Sequence, residues 1–191
     1  MSERPSSRRG AAALPGRVAI GLGSNLGDRL SHLRVAANAL ATILIEPHWS
    51  RVYETEPLHL VEQPPFLNAC VTGLTHSEPL DLLAALGTIE RASGRLPGGE
   101  RYGPREIDLD ILLYDDLEVR SPQLTIPHPR LHERAFALIP LAELAPNWQH
   151  TGLGRSIGDL AGTVSVDGIT LTPHRLGPRG PDDGDGKGAG R

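Results

Sequence analysis

Cysteine is nearly absent from this chain of 191 residues: Cys70 stands alone, so no intramolecular disulfide and no multi-cysteine zinc site can form. Lysine is scarcer than its chemistry usually allows. Lys187 is the one lysine among 19 basic residues, which leaves 18 arginines. A P-loop kinase needs a lysine directly after its glycines, and none stands in the part of the chain that can fold. Aromatic residues make up 4% of the sequence, too few for the stacking surface of an RNA-binding module. No apolar run approaches the ~18 residues of a membrane span, and no signal-peptide core follows the first arginines. The net charge of −4 and a pI near 6.0 provide no basic field for nucleic acid. What remains is a chain sized for one domain with a substantial core, expected in the cytoplasm as a monomer without nucleic-acid or membrane partners.

The ends are poor in periodic apolar residues. Residues 1–16 are Ser, Arg, Ala, Pro and Gly, and the last stretch is Gly, Pro and Asp, so disordered tails are expected over 1–16 and 173–191 around a single domain at 17–172. Inside those limits strands and helices alternate. Val18 to Gly23 is β-like; Asp28 can cap a helix over 29–44, where Leu30, Leu33, Ala37, Leu40 and Leu44 recur at helical spacing. A strand is predicted over 48–55, another from Phe66 to Leu74, and a helix from Glu78 to Ser93 that stops at Gly94. A strand over 107–114, a short β pair within 117–126, a helix over 132–144 and a short one over 156–161 complete the set. The order β-α-β-β-α-β-α implies an α+β sandwich with a mixed, mainly antiparallel sheet.

The most informative stretch is Gly103-Pro104-Arg105-Glu106-Ile107-Asp108-Leu109-Asp110-Ile111-Leu112-Leu113. In a strand, Asp108 and Asp110 share one face about 7 Å apart, while Ile107, Leu109 and Ile111 point into a core. Two carboxylates so placed repel, and removing either should relieve the ligand-free chain. A hard cation such as Mg²⁺ relieves the same repulsion, because it is held by one or two carboxylates together with substrate phosphates. Arg91, Arg95, Arg101 and Arg105 lie just upstream with the forked donors phosphates require. A merely solvated strand face is the competing account of a lone D-x-D; the arginines beside it favour a metal–nucleotide site.

Five stretches, taken in order, carry a resemblance. They are Gly21-Leu22-Gly23-Ser24-Asn25-Leu26-Gly27, Tyr53-Glu54-Thr55-Glu56-Pro57-Leu58, Gln63-Pro64-Pro65-Phe66-Leu67-Asn68, the Gly103-Pro104-Arg105 block with its two aspartates, and Thr125-Ile126-Pro127-His128-Pro129. Over roughly residues 18–147 the chain resembles the hydroxymethyl-dihydropterin pyrophosphokinases of folate biosynthesis. That resemblance implies a ferredoxin-like three-layer α/β/α sandwich and transfer of pyrophosphate from ATP to 6-hydroxymethyl-7,8-dihydropterin, giving AMP and the pterin diphosphate. It implies two Mg²⁺ ions on Asp108 and Asp110, with Arg95 and Arg105 also catalytic. By the same likeness Glu90, Arg95, Arg105, Ile111, Thr125, His128 and Arg134 would meet ATP. Thr55, Glu56, Leu58, Phe66, Asn68, Tyr102 and Phe136 would line the pterin pocket, the chain's two phenylalanines sandwiching the flat ring. Four positions depart from the family pattern: Tyr102 replaces a common tryptophan, Pro97 an arginine of a mobile loop, Glu56 a frequent proline and Gly87 a polar side chain. The loop from Arg95 to Pro104 has the composition of a closing lid.

Other classes fit less well. The glycines at 21, 23 and 27 miss the dinucleotide-binding spacing by one residue. His128 and His132 are four apart, but Pro129 disfavours a helical zinc pair. A non-catalytic ferredoxin-like regulatory domain that binds a small molecule would share the fold without needing the arginine–aspartate block, and Mg²⁺-dependent ATP binding separates it from an enzyme.

Overall fold

A computed structural model describes residues 14–57, 63–94 and 103–177. Strand β1 (Gly16–Ser24) runs through the middle of the main sheet, and Val18, Ala19 and Ile20 are fully buried on alternating faces. Helix α1 (Arg29–Ile43) starts where the Asp28 carboxylate accepts the Ser31 amide at 3.0 Å, and it buries Leu33, Ala36, Ala37 and Leu40. Strands β2 (Ile45–Trp49), β3 (Arg51–Thr55) and β4 (Phe66–Thr75) follow, then α2 (Pro79–Ala92), which opens on a proline whose missing N–H costs nothing there. Strand β5 (Asp108–Tyr114) carries the two aspartates. Beyond it lie a short pair, β6 (Val119–Arg120) and β7 (Thr125–Ile126), a 3-10 turn at Leu131–Glu133, and α3 (Ala135–Leu144). The hairpin β8 (Gln149–His150) and β9 (Arg155–Ser156), helix α4 (Ile157–Ala161) and strand β10 (Ile169–Arg175) end the described chain.

The main sheet has the order β10-β3-β4-β1-β5, with β2 also paired to β4, and every pairing is antiparallel. Without β2 and β10 this is the ferredoxin-like arrangement, in which the first and third strands of the βαββαβ unit lie side by side. One face packs α1 and α2 through Leu33, Leu40, Leu82 and Leu86 against Ile20, Leu22, Leu109 and Ile111. The other packs α3 and α4 through Leu138, Leu141, Ile157 and Leu160 against Ala19, Cys70 and Leu112. The result is the expected α+β three-layer sandwich. No helix among the described residues is long and apolar enough to cross a membrane.

Three elements differ from the sequence expectation. The strand predicted over 48–55 is broken at Ser50. Trp49 lies opposite Val71 and Tyr53 opposite Asn68, so one strand accommodates an extra residue. The Ser50 hydroxyl takes over the ladder there, accepting the Cys70 amide at 2.8 Å. The helix predicted over 132–144 is interrupted at Arg134, whose extended backbone (φ −102°, ψ 90°) separates the 3-10 turn from α3. The expected domain limit at 172 falls inside β10, an edge strand that pairs with β3 and runs to Arg175, with Leu176 buried behind it. Pro173 and a threonine-rich, half-exposed pattern hide this strand in the sequence, although a proline is tolerated on a sheet edge.

Candidate active site

The carboxylates sit where the period of the strand puts them. Ile107, Leu109 and Ile111 are 0%, 4% and 3% exposed in the core, while Asp108 and Asp110 stand on the opposite face. That face also carries Leu112 and Leu113 together. Ala19 pairs with Leu113 and Ile20 with Ile111, so a bulge at Leu112 turns two successive side chains toward α3. On the outer edge of β5, the Glu90 carboxylate of α2 accepts the Leu109 amide at 2.9 Å. This bond ties the end of α2 to the strand between the two aspartates.

Each aspartate has a cationic partner. Arg105 Nη1 lies 2.8 Å from Asp108 Oδ1, and Arg134 Nη1 donates to Asp110 Oδ2 at 3.3 Å. The break before α3 is what lets Arg134 turn to the sheet instead of following a helix face. Burial, and after it the neighbouring Asp108 charge, push the Asp110 carboxyl up to about 6 against the pull of Arg134. His128 Nε2 lies 3.9 Å from Asp110 Oδ2. Burial and the adjacent Arg134 push this imidazole down to about 4, so it is neutral at pH 7. The Arg130 amide donates to Nδ1 at 3.2 Å, which leaves the ring proton on Nε2, beside Arg134 Nη1 at 3.2 Å. Arg134 Nη1 and His128 Nε2 thus lie together next to the carboxylates, where both are within reach of one phosphate oxygen lying to their side.

Across β1 lies a second cluster, in which buried amide and hydroxyl groups stand beside an aromatic ring. Asn68 of β4 pairs with Gly23 of β1, and Gly23 pairs with Asp108, so all three share a face and two strand spacings, about 10 Å, separate Asn68 from Asp108. Asn68 is buried and donates from Nδ2 to Thr55 Oγ1 at 2.7 Å. Phe66 lies beside it at the mouth of β4, opposite Thr55. A side chain at Gly23 would meet Asn68 Oδ1 at 3.0 Å and Phe66 at 3.8 Å, so the bare backbone there makes room for the amide. Phe136 stands at the start of α3 under the Arg134 guanidinium, 5.6 Å from ring centre to Cζ.

Residues 19–146 match the family of 7,8-dihydro-6-hydroxymethylpterin-pyrophosphokinase (HPPK). The chain belongs to this family. It is 38% identical over 161 residues to the 2-amino-4-hydroxy-6-hydroxymethyldihydropteridine pyrophosphokinase of Pseudomonas aeruginosa, covering 82% of this chain and 97% of that protein. It is 49% identical over 129 residues to a mitochondrial folate synthesis bifunctional protein of Arabidopsis thaliana, covering 66% of this chain. It spans 23% of the length of that bifunctional relative. Among solved structures, the wild-type HPPK-DHPS of Plasmodium falciparum with pteroate superposes with a TM-score of 0.65 at 15% identity, over 78% of this chain and 44% of that one. At that identity the likeness speaks for the fold alone.

The HPPK fold of this chain brings Glu90, Arg105, Asp108, Asp110, His128 and Arg134 around one end of β5, and Thr55, Phe66 and Asn68 around the neighbouring strands. Thr125 lies in β7, a strand that packs on β5 and leads to His128. Ile111 has its side chain in the core, which leaves only its backbone on the terminal strand to meet a nucleotide. Glu56 is exposed and turns away from Asn68; its amide donates to the Gly168 carbonyl and its stem lies along Gly168. Arg91 folds along its own helix onto Thr88 at 2.9 Å and contributes nothing here. Leu58, Arg95 and Tyr102, with the expected lid residues Pro97, Gly98, Gly99 and Arg101, lie outside the described residues.

The carboxylate pair fits a hard divalent cation. The donors are oxygens, their combined charge is disfavoured in place, and no third acidic, histidine or cysteine ligand joins them among the described residues. Mg²⁺ commonly completes such a set with water and phosphate.

The sequence reading assigned no role to Asn25. It is 1% exposed in the turn after β1. Its Nδ2 donates to Gln63 Oε1 at 3.0 Å and to the Pro64 carbonyl at 3.3 Å, while its Oδ1 accepts the Arg105 amide at 2.8 Å. One side chain therefore joins the segment entering Phe66 to the segment entering Asp108. The only signal available in sequence was a bulky polar residue inside a glycine-rich turn.

Proposed function

We propose that this chain transfers the pyrophosphoryl group of ATP to the hydroxymethyl oxygen of 6-hydroxymethyl-7,8-dihydropterin, releasing AMP and leaving the pterin diphosphate. The observation that carries this reading is the pairing, on one face of four adjacent strands, of an arginine-flanked aspartate pair with a pocket built from Asn68, Thr55 and Phe66. Asn68 supplies both a donor and an acceptor for the amide-like edge of a pterin, and the phenyl rings of Phe66 and Phe136 suit its flat faces. The pterin oxygen attacks the β-phosphorus, the bond from that phosphorus to the α-bridging oxygen breaks, and the hydroxyl proton is lost.

Asp108 and Asp110 would hold two Mg²⁺ ions with the ATP phosphates. Bound there, the ions would polarise the attacked phosphorus and offset charge on the entering and leaving oxygens. Arg105 and Arg134, kept at the site by the carboxylates, offer planar forked donors to phosphate oxygens, and the neutral His128 offers its Nε2 proton to the same region. Glu90 holds the strand bearing the aspartates. Phosphoryl-type transfer demands chiefly positioning and charge neutralisation, which these groups supply. Incubation with Mg-ATP and the pterin alcohol tests the proposal. It should yield AMP only when the pterin is present; ADP, or AMP formed without pterin, would refute it.

A further inference from the structure

Arg29 is the first residue of α1, where the helix dipole favours an acid and disfavours a cation. The Asp28 carboxylate at the cap is committed to the Ser31 amide, and no residue of the first turn itself is acidic. A residue placed against its local electrostatics points to a longer-range role, and the side chain shows one. Nη1 donates to the Pro65 carbonyl at 2.6 Å, and Nη2 lies 3.0 Å from Glu54 Oε2. Pro65 immediately precedes Phe66, Glu54 immediately precedes Thr55, and Phe66 and Thr55 are paired across β3 and β4. One guanidinium thus grips both strands at the rung that opens the pocket. Pro64 and Pro65 have no N–H to donate, so their backbone can hydrogen-bond only through its carbonyls. Asn25 holds the Gln63 side chain and the Pro64 carbonyl, and Arg29 holds the Pro65 carbonyl. Glu54 pairs with Leu67, which packs on the α1 side of the sheet, so the clamp acts from the face opposite Asn68.

We infer that Arg29 is a positioning residue for pterin binding: from behind the sheet it sets Phe66 and Thr55, and through Thr55 the amide of Asn68, without touching either substrate. This rests on the proposed reaction. Arg29→Lys keeps the charge and can make the Glu54 pair or the Pro65 carbonyl bond, but lacks the fork that serves both, and Glu54→Gln removes only the charge.

Calorimetry with the pterin in the presence of a non-hydrolysable ATP analogue, alongside steady-state kinetics, tests the inference. Arg29→Ala should weaken pterin binding about five- to tenfold, the scale of one charge-assisted hydrogen bond. Its affinity for the ATP analogue should stay within about twofold and its kcat at saturating pterin should hold, because no phosphate contact is lost. Arg29→Lys and Glu54→Gln should show smaller losses of the same kind with near-normal Tm. They keep the test decisive if Arg29→Ala fails to fold. Equal losses for both ligands, or unchanged pterin affinity in the folded variants, would overturn the positioning role alone. A wild-type protein that binds no pterin would overturn the proposed reaction as well.

Discussion

Replacing Asp110 with asparagine should make the ligand-free protein more stable and catalytically inert. The folded carboxyl is pushed up to about 6 by burial and by Asp108, whereas an aspartate in an unfolded chain titrates near ~3.9. The folded state therefore binds this proton more tightly, and ionisation opposes folding as pH rises between the two values. At full weight an interval of about two units costs ~3 kcal/mol. The side chain is 40% exposed, and solvent screening reduces the figure to about 1–2 kcal/mol. Asparagine keeps the shape and an acceptor for Arg134 while removing the charge. Its advantage should be complete above about pH 6.5, shrink as pH falls from 6 to 4, and vanish below about pH 4, where both forms are neutral. At roughly 2–4 °C per kcal/mol for a chain of this size, Tm should rise by about 2–8 °C at pH 7.5. Thermal unfolding at pH 7.5 and 4.0 without metal or nucleotide makes the comparison. A lower Tm at pH 7.5, or the same shift at both values, would refute the reasoning. Asp108 should behave differently, contrary to the equivalence expected from sequence. Arg105 contacts it at 2.8 Å and is only 20% exposed, so Asp108→Asn gives up an ion pair against the relief it brings to Asp110, and its net gain should be smaller.

Asn68→Ala should weaken pterin binding about five- to 150-fold, the cost of leaving buried polar groups unpaired at roughly 1–3 kcal/mol, while calorimetry shows ATP-analogue affinity nearly unchanged. Comparable loss for both ligands would make Asn68 structural. Arg105→Ala should lower kcat by about 10²–10³, as removal of a donor to developing charge does, with a smaller effect on pterin Kd; a change confined to Kd would contradict this. Gly23→Ala would place a methyl 3.0 Å from Asn68 Oδ1. The overpacking, about 1–3 kcal/mol, should surface as weaker pterin binding, and an unchanged Kd would show that the amide has slack.

The parts of the fold and site legible in sequence are those set by short-range period. The alternation from Ile107 to Ile111 places two acids on one face wherever the strand packs, and the helical spacing of Leu33, Ala37 and Leu40 holds for the same reason. What escaped depends on partners distant in the chain. The bonds of Asn25 and Arg29 to residues 63–65 cross 36–39 positions, and nothing local in either segment announces them. Ser50 reads as ordinary strand until the Cys70 amide is seen to need its hydroxyl. β10 was missed because an edge strand bearing a proline buries too little for alternation to emerge. Arg134 had helical surroundings in sequence, yet its extended backbone is what delivers it to Asp110.

The two halves of the site are held apart by the least deformable part of the molecule. β1 is hydrogen-bonded on both sides and buried on both faces, and its Gly23 is the whole partition between Asn68 and Asp108. Glycine at this position keeps the partition thin, so in the proposed reaction a ring resting on Asn68 would extend its hydroxymethyl arm over β1 toward phosphates at the aspartates. The groups that must meet varied substrate atoms, Arg105 and the segment before Phe66, hang from strand ends and are joined to each other through Asn25. Distance is thus fixed by the sheet and alignment by the loops. It follows that a side chain at Gly23 should act on the pterin side through Asn68 and Phe66, whereas substitutions at Asn25 and Arg29 should act through the position of the segments they hold.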